Sequence, residues 1–542
     1  MEKKKEIYYQ TANRKYIEEN YGRTQWVQIS GHENLNNAEA AYWCALVDLN
    51  NVESVFRDHG WDVHIGSGGP GFEGIGNSYD YHGSLLNEGF EALLYYRDFY
   101  GVKNPYIELA QEFVLLNNLY YDESKRIYYS VLDDGRSEEV VRIKDQDNFF
   151  ISLSYLIRYA AAKQMAVILY YDVRTKFDES MDILGVTEFS DGYKDKNVFY
   201  QIWGGNLNSF RGMVAFSILM GKKILYPRPV DTCGYWPYER EEEYIDFIIG
   251  LDENGDKKTF TCNPDMLANY FGKNPNAPHY LTPVFFKREV LQKYISHPEL
   301  YRIRDGYLEC GYLWGIEIDN HHKDCISAYL GDLGRDLPES ERLYWKSYNI
   351  VSDEGLSETS FKRDFLCVSA ESNMIEHVFK EHYIKINDEW NNKFGWPLFL
   401  PLAEDDQYNF DLLRIPLTES QDEFDGLVLS LVKVIIDSLN EKKIQESIEG
   451  EKDLKGIGKL EKWLQISGRT DYDEHTKFLR NLQDLRSKGT GHRKGTGYDK
   501  IASSFGVGNK DLREVFEDIM HSADEFLTYM ASFCNLKPPT NI

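Results

Sequence analysis

The sequence predicts an α+β protein in which mixed N-terminal and central regions are followed by an all-α helical bundle. Three observations predict this fold class. Short runs rich in β-branched and aromatic residues, bounded by turn signals such as Asp134-Gly135 and Asn254-Gly255, indicate strands before residue 422. Longer apolar stripes at helical spacing dominate residues 422–542. A chain of 542 residues is also too long for one compact core.

The order of these patterns predicts three regions. We expect residues 1–270 to form an α+β regulatory or sensor region and residues 271–421 a second, central α+β domain. Residues 422–542 follow as the helical bundle. Because the central segment is rich in proline and aromatic residues, a sensing role is favoured over a catalytic one there.

The first part of the chain predicts helices joined by a glycine-rich loop. Apolar residues recur at helical spacing over 34–58, and helices are also expected over 84–100 and 105–119. Residues 61–65 alternate like a short strand. The run 66–71 fits G-x-G-x-x-G, but Pro70 and the further glycines break any following helix, so we interpret it as a loop rather than a dinucleotide site.

Hairpin patterns follow further along the chain. Residues 126–132 and 138–143 predict paired strands, 149–164 a helix and 165–173 a buried strand. Two more hairpins are expected, one at 244–251 with the turn Asn254-Gly255 and one at 301–303 with Asp305-Gly306. These patterns together predict an α+β arrangement before the helical bundle.

A polar group at residues 319–324 contains ligand-type side chains and raises the question of a metal site. Asp319, His321, His322 and Asp324 are close in sequence, but adjacent histidines on a strand point to opposite faces. No further ligand follows at zinc-like spacing, so we predict a polar hairpin tip. The pair Arg363-Asp364 resembles metal-dependent nuclease acids only weakly, because one aspartate does not make a nuclease core. We therefore expect no metal and no cofactor.

Composition limits the partners of the protein. The formal net charge of −27 repels nucleic acid at long range, so any RNA site must be local. The sign reverses between residues 480 and 500, where six cations face only Asp484 and Asp499: Arg480, Arg486, Lys488, Arg493, Lys494 and Lys500. Seven cysteines without a CxxC pair indicate reduced thiols. With no signal peptide and no long apolar run, we expect a cytoplasmic protein without a membrane partner.

The last region predicts four helices with short links. A strongly apolar helix is expected over 424–439 and a short piece around Trp463. Residues 473–488 form the next helix, with Leu479, Leu482 and Leu485 on one stripe. The helix over 510–533 carries a stripe wide enough for both a core and a dimer interface.

The end of the third helix runs into the basic, glycine-rich sequence LRSKGTGHRKG. Arg486, Ser487 and His492 resemble the motif of the HEPN superfamily, which has an arginine, a polar residue and a histidine, with four to six residues between the arginine and the histidine. The resemblance covers roughly residues 424–533. It implies a HEPN-like bundle and a metal-independent endoribonuclease that acts as a dimer, with two motifs facing one another.

The chemistry fits these residue types independently of the family. The 2′-hydroxyl of RNA can attack its own phosphodiester if one group moves the protons and another stabilises charge on phosphorus. We expect Arg486 and His492 to be catalytic, and Ser487, Lys488, Arg493 and Lys494 to bind substrate, with Ser487 orienting the arginine. The products would carry 2′,3′-cyclic phosphate and 5′-hydroxyl ends.

A biological role and two alternative functions follow from these expectations. The resemblance implies a bacterial protein of antiviral defence, abortive infection or toxin-like growth arrest, with RNA such as tRNA as substrate. We expect a homodimer or larger homo-oligomer, and a phage-derived or small-molecule trigger. One alternative is a non-catalytic HEPN module for dimerisation or nucleotide binding, with the N-terminal region binding a partner or signal. A further alternative places an enzyme in the N-terminal region, around residues 62–81.

Overall fold

The computed structural model describes residues 2–35, 38–61, 70–82, 88–145, 147–209, 212–448, 454–489 and 496–534. Two compact units are present: Met1–Leu132 with Arg136–Glu241, and Asp133–Gly135 with Glu242–Ile542. The mixed α and β composition and a helical C-terminal region are confirmed. The division into three domains remains a prediction. In the described parts of the chain, no helix has the length and apolarity needed to cross a membrane.

The first unit is built mainly from strands. Its strands are β1 (Trp26–Leu35), β2 (Ala38–Asp48), β3 (Gly71–Ile75), β4 (Ser78–His82), β5 (Phe90–Ala92), β6 (Leu94–Arg97), β7 (Tyr106–Leu109), β8 (Tyr120–Asp122), β9 (Ile127–Val131), β10 (Ser137–Lys144), β11 (Asn148–Ser152), β12 (Met165–Lys176), β13 (Phe189–Lys194), β14 (Val198–Ser209) and β15 (Gly212–Leu225). Its helices are α1 (Glu2–Tyr8), α2 (Thr11–Glu19), α3 (Val52–Val55), α4 (Gln111–Leu116), α5 (Leu153–Lys163) and α6 (Met181–Leu184).

One large antiparallel sheet organises the described residues of this unit. Its order is β13-β14-β15-β12-β2-β1-β11-β10-β9-β8, and β5 also pairs with β2. Strand β12 lies near the middle and is buried continuously over its first nine residues, as its run of apolar and aromatic side chains predicts. Helix α5 packs on β11 and β12 and covers the sheet there. The predicted buried strand over 165–173 is therefore confirmed.

Two predicted helices in this unit are wrong. Residues 38–48 of the expected helix over 34–58 form β2, which pairs with β1 and β12. The expected helix over 84–100 contains β5 and β6. An apolar stretch buried on both faces carries no clear period of two, so its alanines matched a helical pattern equally well. Pairing with the neighbouring strands made these residues a strand rather than a helix.

Other predictions in the first unit hold in part. The strand pair over 126–132 and 138–143 is confirmed as β9 and β10, which pair around the turn at 133–135. The expected helices over 105–119 and 149–164 each begin with a strand, β7 or β11, before α4 or α5. Residues 62–69, with most of the glycine-rich run, lie outside the described residues.

The second unit combines small sheets with helices. Its strands are β16 (Asp246–Leu251), β17 (Lys257–Thr261), β18 (Pro283–Lys287), β19 (Tyr301–Arg304), β20 (Tyr307–Cys310), β21 (Trp314–Glu317), β22 (Cys325–Tyr329) and β23 (Asn349–Ile350). Its helices are α7 (Gln292–Ile295), α8 (Leu330–Asp336), α9 (Glu339–Lys346), α10 (Glu358–Asp364), α11 (Ile375–Phe394), α12 (Tyr408–Asp411), α13 (Gln421–Val432), α14 (Glu441–Glu446), α15 (Gly456–Ile466), α16 (Asp473–Gly489), α17 (Thr496–Ser504) and α18 (Leu512–Ala531).

The strands of this unit pair in three antiparallel groups within the described residues. The groups are β16-β17, β22-β18-β23 and β19-β20-β21. Both hairpins predicted at Asn254-Gly255 and Asp305-Gly306 are confirmed. Gly306 adopts a φ of +77°, a left-handed conformation that suits glycine in a tight turn. The apolar core of these strands is continuous with α8, whose Leu330 and Leu333 are fully buried.

The C-terminal helices share a separate apolar core. The predicted helices over 473–488 and 510–533 are confirmed as α16 and α18. The apolar helix expected over 424–439 is α13, continued by a π-helical turn at Lys433–Asp437. Helix α11 packs on α18 and contributes Phe379 and Trp390 to the same core, although it precedes residue 422. The helical region therefore begins earlier than its sequence pattern indicates.

The contribution of α11 can be measured with two substitutions on that helix. Phe379 is fully buried, whereas Ile384 is 55% exposed. We expect Phe379→Ala to lower the free energy of unfolding by about 3–5 kcal/mol, because the ring leaves a cavity in the core. Ile384→Ala should change it by less than about 0.5 kcal/mol. Urea denaturation followed by circular dichroism measures both values. Equal, small effects would contradict the assignment of α11 to the helical core.

Candidate functional site

The arginine of the predicted motif lies in the last turn of α16. Its Nη2 donates a hydrogen bond of 2.7 Å to Oδ2 of Asp437, the last residue of the π-helical turn after α13. Helices α13 and α16 pack together, and Leu482 and Leu485 bury the face of α16 beside Arg486. The guanidinium side chain stays 29% exposed. Arg486 is therefore held in place by a carboxylate but remains within reach of solvent.

Two more predicted substrate-binding residues follow on the same helix end. Ser487 is exposed, and its hydroxyl donates to the main-chain oxygen of Gln483 at 2.8 Å. Lys488 donates to Asp484 at 2.8 Å, one helical turn earlier. The Ser487 hydroxyl is thus bonded to its own helix. Its predicted role in orienting Arg486 remains a prediction.

His492, Arg493 and Lys494 lie outside the described residues, within 490–495. The helix ends on either side of that segment adjoin. A Cβ atom on Gly489 would lie 3.2 Å from the ring of Tyr498, and one on Gly497 would lie 3.9 Å from the side chain of Lys488. The end of α16 and the start of α17 are therefore neighbours, and the six intervening residues carry the predicted catalytic histidine.

Acidic side chains form ion pairs with the cations of this surface and reduce its positive charge. Arg480 pairs with Glu461, as Arg486 does with Asp437 and Lys488 with Asp484. These pairs are partly exposed, and such pairs contribute only about 0–1 kcal/mol because water screens them. A phosphate group can therefore exchange with these carboxylates at little cost.

A second group of ionisable side chains meets elsewhere in the same unit, and sequence reasoning missed its composition. Asp305 comes from the β19–β20 turn, Asp319 and His321 from the segment between β21 and β22, and His377 from the first turn of α11. Asn320 fixes this arrangement locally. Its side chain accepts a hydrogen bond from Gly306 N and donates one to Arg304 O, both at 3.0 Å. We call Asp305, Asp319, His321 and His377 the histidine cluster.

His321 bridges the two carboxylates of this cluster. Its Nδ1 lies 3.0 Å from Asp319 Oδ1 and its Nε2 lies 2.5 Å from Asp305 Oδ1. The side chain is only 3% exposed. Burial lowers the pKa of His321, but the hydrogen bonds to Asp305 and Asp319 and their charges outweigh it, so the pKa is raised. Only the protonated ring can donate to both carboxylates at once.

Further polar groups fix the two aspartates. Arg363 on α10 donates to both oxygens of Asp305, at 3.0 and 2.8 Å. Ser357, which caps α10, donates to Asp319 through its main-chain N and its hydroxyl, both at 2.8 Å. Burial raises the pKa of each carboxyl, but these hydrogen bonds and those from His321 outweigh it, so both values lie below the usual range.

His377 completes the cluster, and its pKa is shifted in the direction opposite to that of His321. Its ring lies 5.7 Å from the ring of His321, and its Nδ1 lies 3.6 Å from Asp305 Oδ1. The hydroxyl of Ser372 is 2.9 Å from the same nitrogen. Burial lowers the pKa of His377 to about 4, so the ring is neutral near neutral pH. Two imidazoles whose pKa values are shifted in opposite directions therefore lie side by side.

A cavity of about 320 Å³ borders this cluster. Its lining includes Asp305, Asp319, Ser327, Ser360, Arg363 and Asp364. The hydroxyl of Ser327 is buried and has no hydrogen-bond partner within the described parts of the chain. Tyr329, two residues along the same strand, also borders the cavity and donates to Asp364 at 2.6 Å. The cavity thus offers several oxygen atoms to a small polar ligand.

The interpretation of residues 319–324 as a polar hairpin tip is wrong for part of that segment. Asp319 and the side chain of His321 are buried, whereas Lys323 and Asp324 are exposed, and Arg513 contacts Asp324 at 3.3 Å. The missed partner was His377, more than fifty residues away, which no spacing rule connects to the segment. Arg363 was noted beside Asp364, but its partner is Asp305.

Comparison of the chain with protein-family models, with curated proteins and with solved structures found no match.

The bridging role of His321 predicts a specific pH dependence of stability. Because its pKa is raised on folding, its stabilising effect is complete below the unfolded value of about 6.5 and is lost as pH rises through the folded value. We expect the difference in unfolding free energy between wild type and His321→Asn to shrink as pH rises above about 6.5. Urea denaturation in EDTA at several pH values measures it.

Substitution of the exposed His297 provides the control, because its contact with Glu299 is on the surface. His297→Asn should differ from wild type by less than about 0.5 kcal/mol at each pH. A His321 difference that stays constant or grows with pH would contradict the double bridge.

Proposed function

We propose that the protein is a metal-independent endoribonuclease whose site is formed by Arg486 and His492. The observation that supports this most is the position of Arg486, held by Asp437 at the end of α16 and six residues before the histidine. A guanidinium that is fixed but partly exposed suits the binding of a phosphodiester. The sequence resemblance to the HEPN motif points to the same two residues.

The proposed reaction needs only groups that this chain carries. The 2′-oxygen of the substrate attacks phosphorus, a bond from the 2′-oxygen to phosphorus forms, and the bond to the 5′-oxygen breaks. One proton leaves the 2′-hydroxyl and another joins the 5′-oxygen, and His492 serves as base or acid near neutral pH. In a homodimer the second copy of His492 supplies the other transfer. Arg486 stabilises the charge on the phosphorane oxygens.

Asp437 and the neighbouring cations shape substrate binding in this account. The carboxylate of Asp437 holds the guanidinium until a phosphate oxygen replaces it. Lys488, Arg493 and Lys494 bind adjacent phosphates of the RNA, while the strongly acidic remainder of the chain confines binding to this end of the helix. The N-terminal region controls the activity, and the whole serves antiviral defence or growth arrest in the cytoplasm.

The proposal is tested by RNA cleavage with full-length variants in EDTA. Arg486→Ala and His492→Ala should each lower the cleavage rate of total RNA or tRNA by at least about 100-fold, because each removes a group that acts in the transition state. Arg480→Ala is the matched control, since Arg480 lies on the same helix and pairs with Glu461. It should retain activity within about threefold.

The competing account treats the helical region as a non-catalytic module for dimerisation or nucleotide binding. It predicts that both substitutions leave cellular toxicity or protection unchanged, while changes in the apolar stripe of α18 abolish it. If folded Arg486→Ala and His492→Ala proteins behave like wild type in cells and in cleavage assays, catalysis at this motif is excluded, and the module account stands if the wild-type protein also shows no cleavage.

Lys488 should affect binding rather than chemistry. We expect Lys488→Ala to raise KM for RNA several-fold with kcat nearly unchanged, and to reduce the slope of log KM against log salt by about one. Cleavage kinetics at several salt concentrations measure both quantities. Lys459→Ala serves as control, because Lys459 lies on α15 and pairs with Glu441 on α14. Equal effects of the two substitutions would show that Lys488 binds no phosphate.

A further inference from the structure

We propose that Asp305, His321 and His377 bind one divalent transition-metal ion, and that zinc suits these ligands best. One ligand atom from each residue lies within 4.8 Å of the other two. Two imidazole nitrogens and one carboxylate oxygen form a ligand set found in catalytic zinc sites. This site is separate in residues and in chemistry from the proposed ribonuclease site, and it goes beyond that function and beyond the sequence expectation of no metal.

The distances between the ligand atoms fit a bound metal ion if His321 Nε2 and Asp305 Oδ1 move slightly apart. Zinc bonds to nitrogen and oxygen measure about 2.0–2.2 Å, which places tetrahedral ligand atoms a little over 3 Å apart. His377 Nδ1 and Asp305 Oδ1 are already 3.6 Å apart. His321 Nε2 and Asp305 Oδ1 are 2.5 Å apart, so the ion would take the place of the proton between them, which is released to solvent, and push the two atoms outward.

A carboxylate holds the second ring nitrogen of His321, as is common for histidines that bind a metal. Its Nδ1 faces Asp319 Oδ1 at 3.0 Å, which turns Nε2 toward Asp305. Asp319 is itself fixed by two hydrogen bonds from Ser357. Ligating histidines commonly have their second nitrogen held by a carboxylate in this way, which sets the ring orientation. Asp319 is therefore a positioning residue in the proposed site.

Arg363 orients the carboxylate ligand of the proposed site. It donates to both oxygens of Asp305, and its Nε donates to the main-chain oxygen of Ala370 at 2.9 Å. The ion would bind Oδ1 while Oδ2 keeps its hydrogen bond to Arg363. The nearby positive charge weakens the attraction for the ion, so we expect weaker binding than in a site of the same ligands without arginine.

Three protein ligands leave a fourth position for water or an oxygen atom of a small molecule, as in catalytic zinc sites. A cavity bordered by Asp305 and Asp319 lies beside the proposed site. The hydroxyl of Ser327, buried and without a partner among the described residues, lines the same cavity. A buried hydroxyl without a partner is costly in free energy, so it favours a polar molecule in this cavity.

A neighbouring group, formed by His322, Cys325 and Glu354, is the alternative location for a metal. Its carboxylate is half exposed, and Glu354 Oε2 already lies 2.6 Å from His322 Nδ1. His322 Nε2 lies 3.5 Å from Asp319 Oδ2, a looser support than His321 receives. The two sites differ in one decisive respect, because only the alternative contains a thiol.

The test measures zinc bound by the full-length protein after treatment with EDTA and removal of the chelator. We expect one zinc ion per chain by calorimetry, and we expect His321→Asn and His377→Asn each to weaken binding by at least about 100-fold. Asp319→Asn should weaken it about 10–100-fold. Three control substitutions, Cys325→Ser, Glu354→Gln and His297→Asn, should leave the affinity within about twofold. Circular dichroism of every variant establishes that it is folded.

Cobalt substitution provides a second measurement that does not depend on the variants folding well. Cobalt bound to wild type should give visible d–d absorption without the near-ultraviolet charge-transfer band of a cobalt–thiolate bond. A thiolate band, or loss of binding in Cys325→Ser, would overturn the proposal in favour of the alternative group. Zinc binding that is absent, or unchanged in His321→Asn and His377→Asn, would also overturn it. Neither result bears on cleavage of RNA in EDTA.

Discussion

A buried ion pair joins the strand-containing and helical parts of the second unit. Arg288 follows β18 and donates to Glu376 at 2.7 Å in the first turn of α11, and both side chains are almost fully buried. Arg288 also donates to the main-chain oxygen of His322. Because removal of one partner leaves a buried charge uncompensated, such pairs are strongly position-determining. This pair places His377, the next residue after Glu376, beside His321, and the histidine cluster depends on it.

The two sites of this unit use opposite physical strategies. In the histidine cluster Asp319 and the side chain of His321 are buried, Asp305 is 32% exposed, and hydrogen bonds fix the position of each charge. At the end of α16, by contrast, Arg486 and Lys488 have partly exposed acidic partners that a phosphate can replace. Charges fixed by several hydrogen bonds suit a small ion or ligand, whereas exposed, exchangeable pairs suit a large polyanion such as RNA. Within one unit, the proposed metal site therefore uses charges held in place by hydrogen bonds, and the proposed ribonuclease site uses ion pairs that can exchange.

Local signals were sufficient for some elements and not for others. The hairpin at Asp305-Gly306 and the helix α16 were predictable because a turn dipeptide and an apolar stripe are local features. Strand β2 was not, since its alanines fit a helix until β1 and β12 pair with it. The same limit applies to the candidate sites. Arg486 and its position at a helix end could be read from the sequence, but Asp437 and His377 enter through packing between distant segments, and no spacing rule links His377 to His321.

The central claim is that the 2′-hydroxyl of RNA is the nucleophile at Arg486 and His492, and the ends of the products test it most directly. An oligonucleotide cleaved by the wild-type protein in EDTA should carry a 2′,3′-cyclic phosphate and a 5′-hydroxyl at each cut. The same oligonucleotide with a single 2′-deoxynucleotide on the 5′ side of the cleaved bond should resist cleavage there. Cleavage of the deoxy-substituted bond, or products with a 3′-hydroxyl and a 5′-phosphate, would contradict the account.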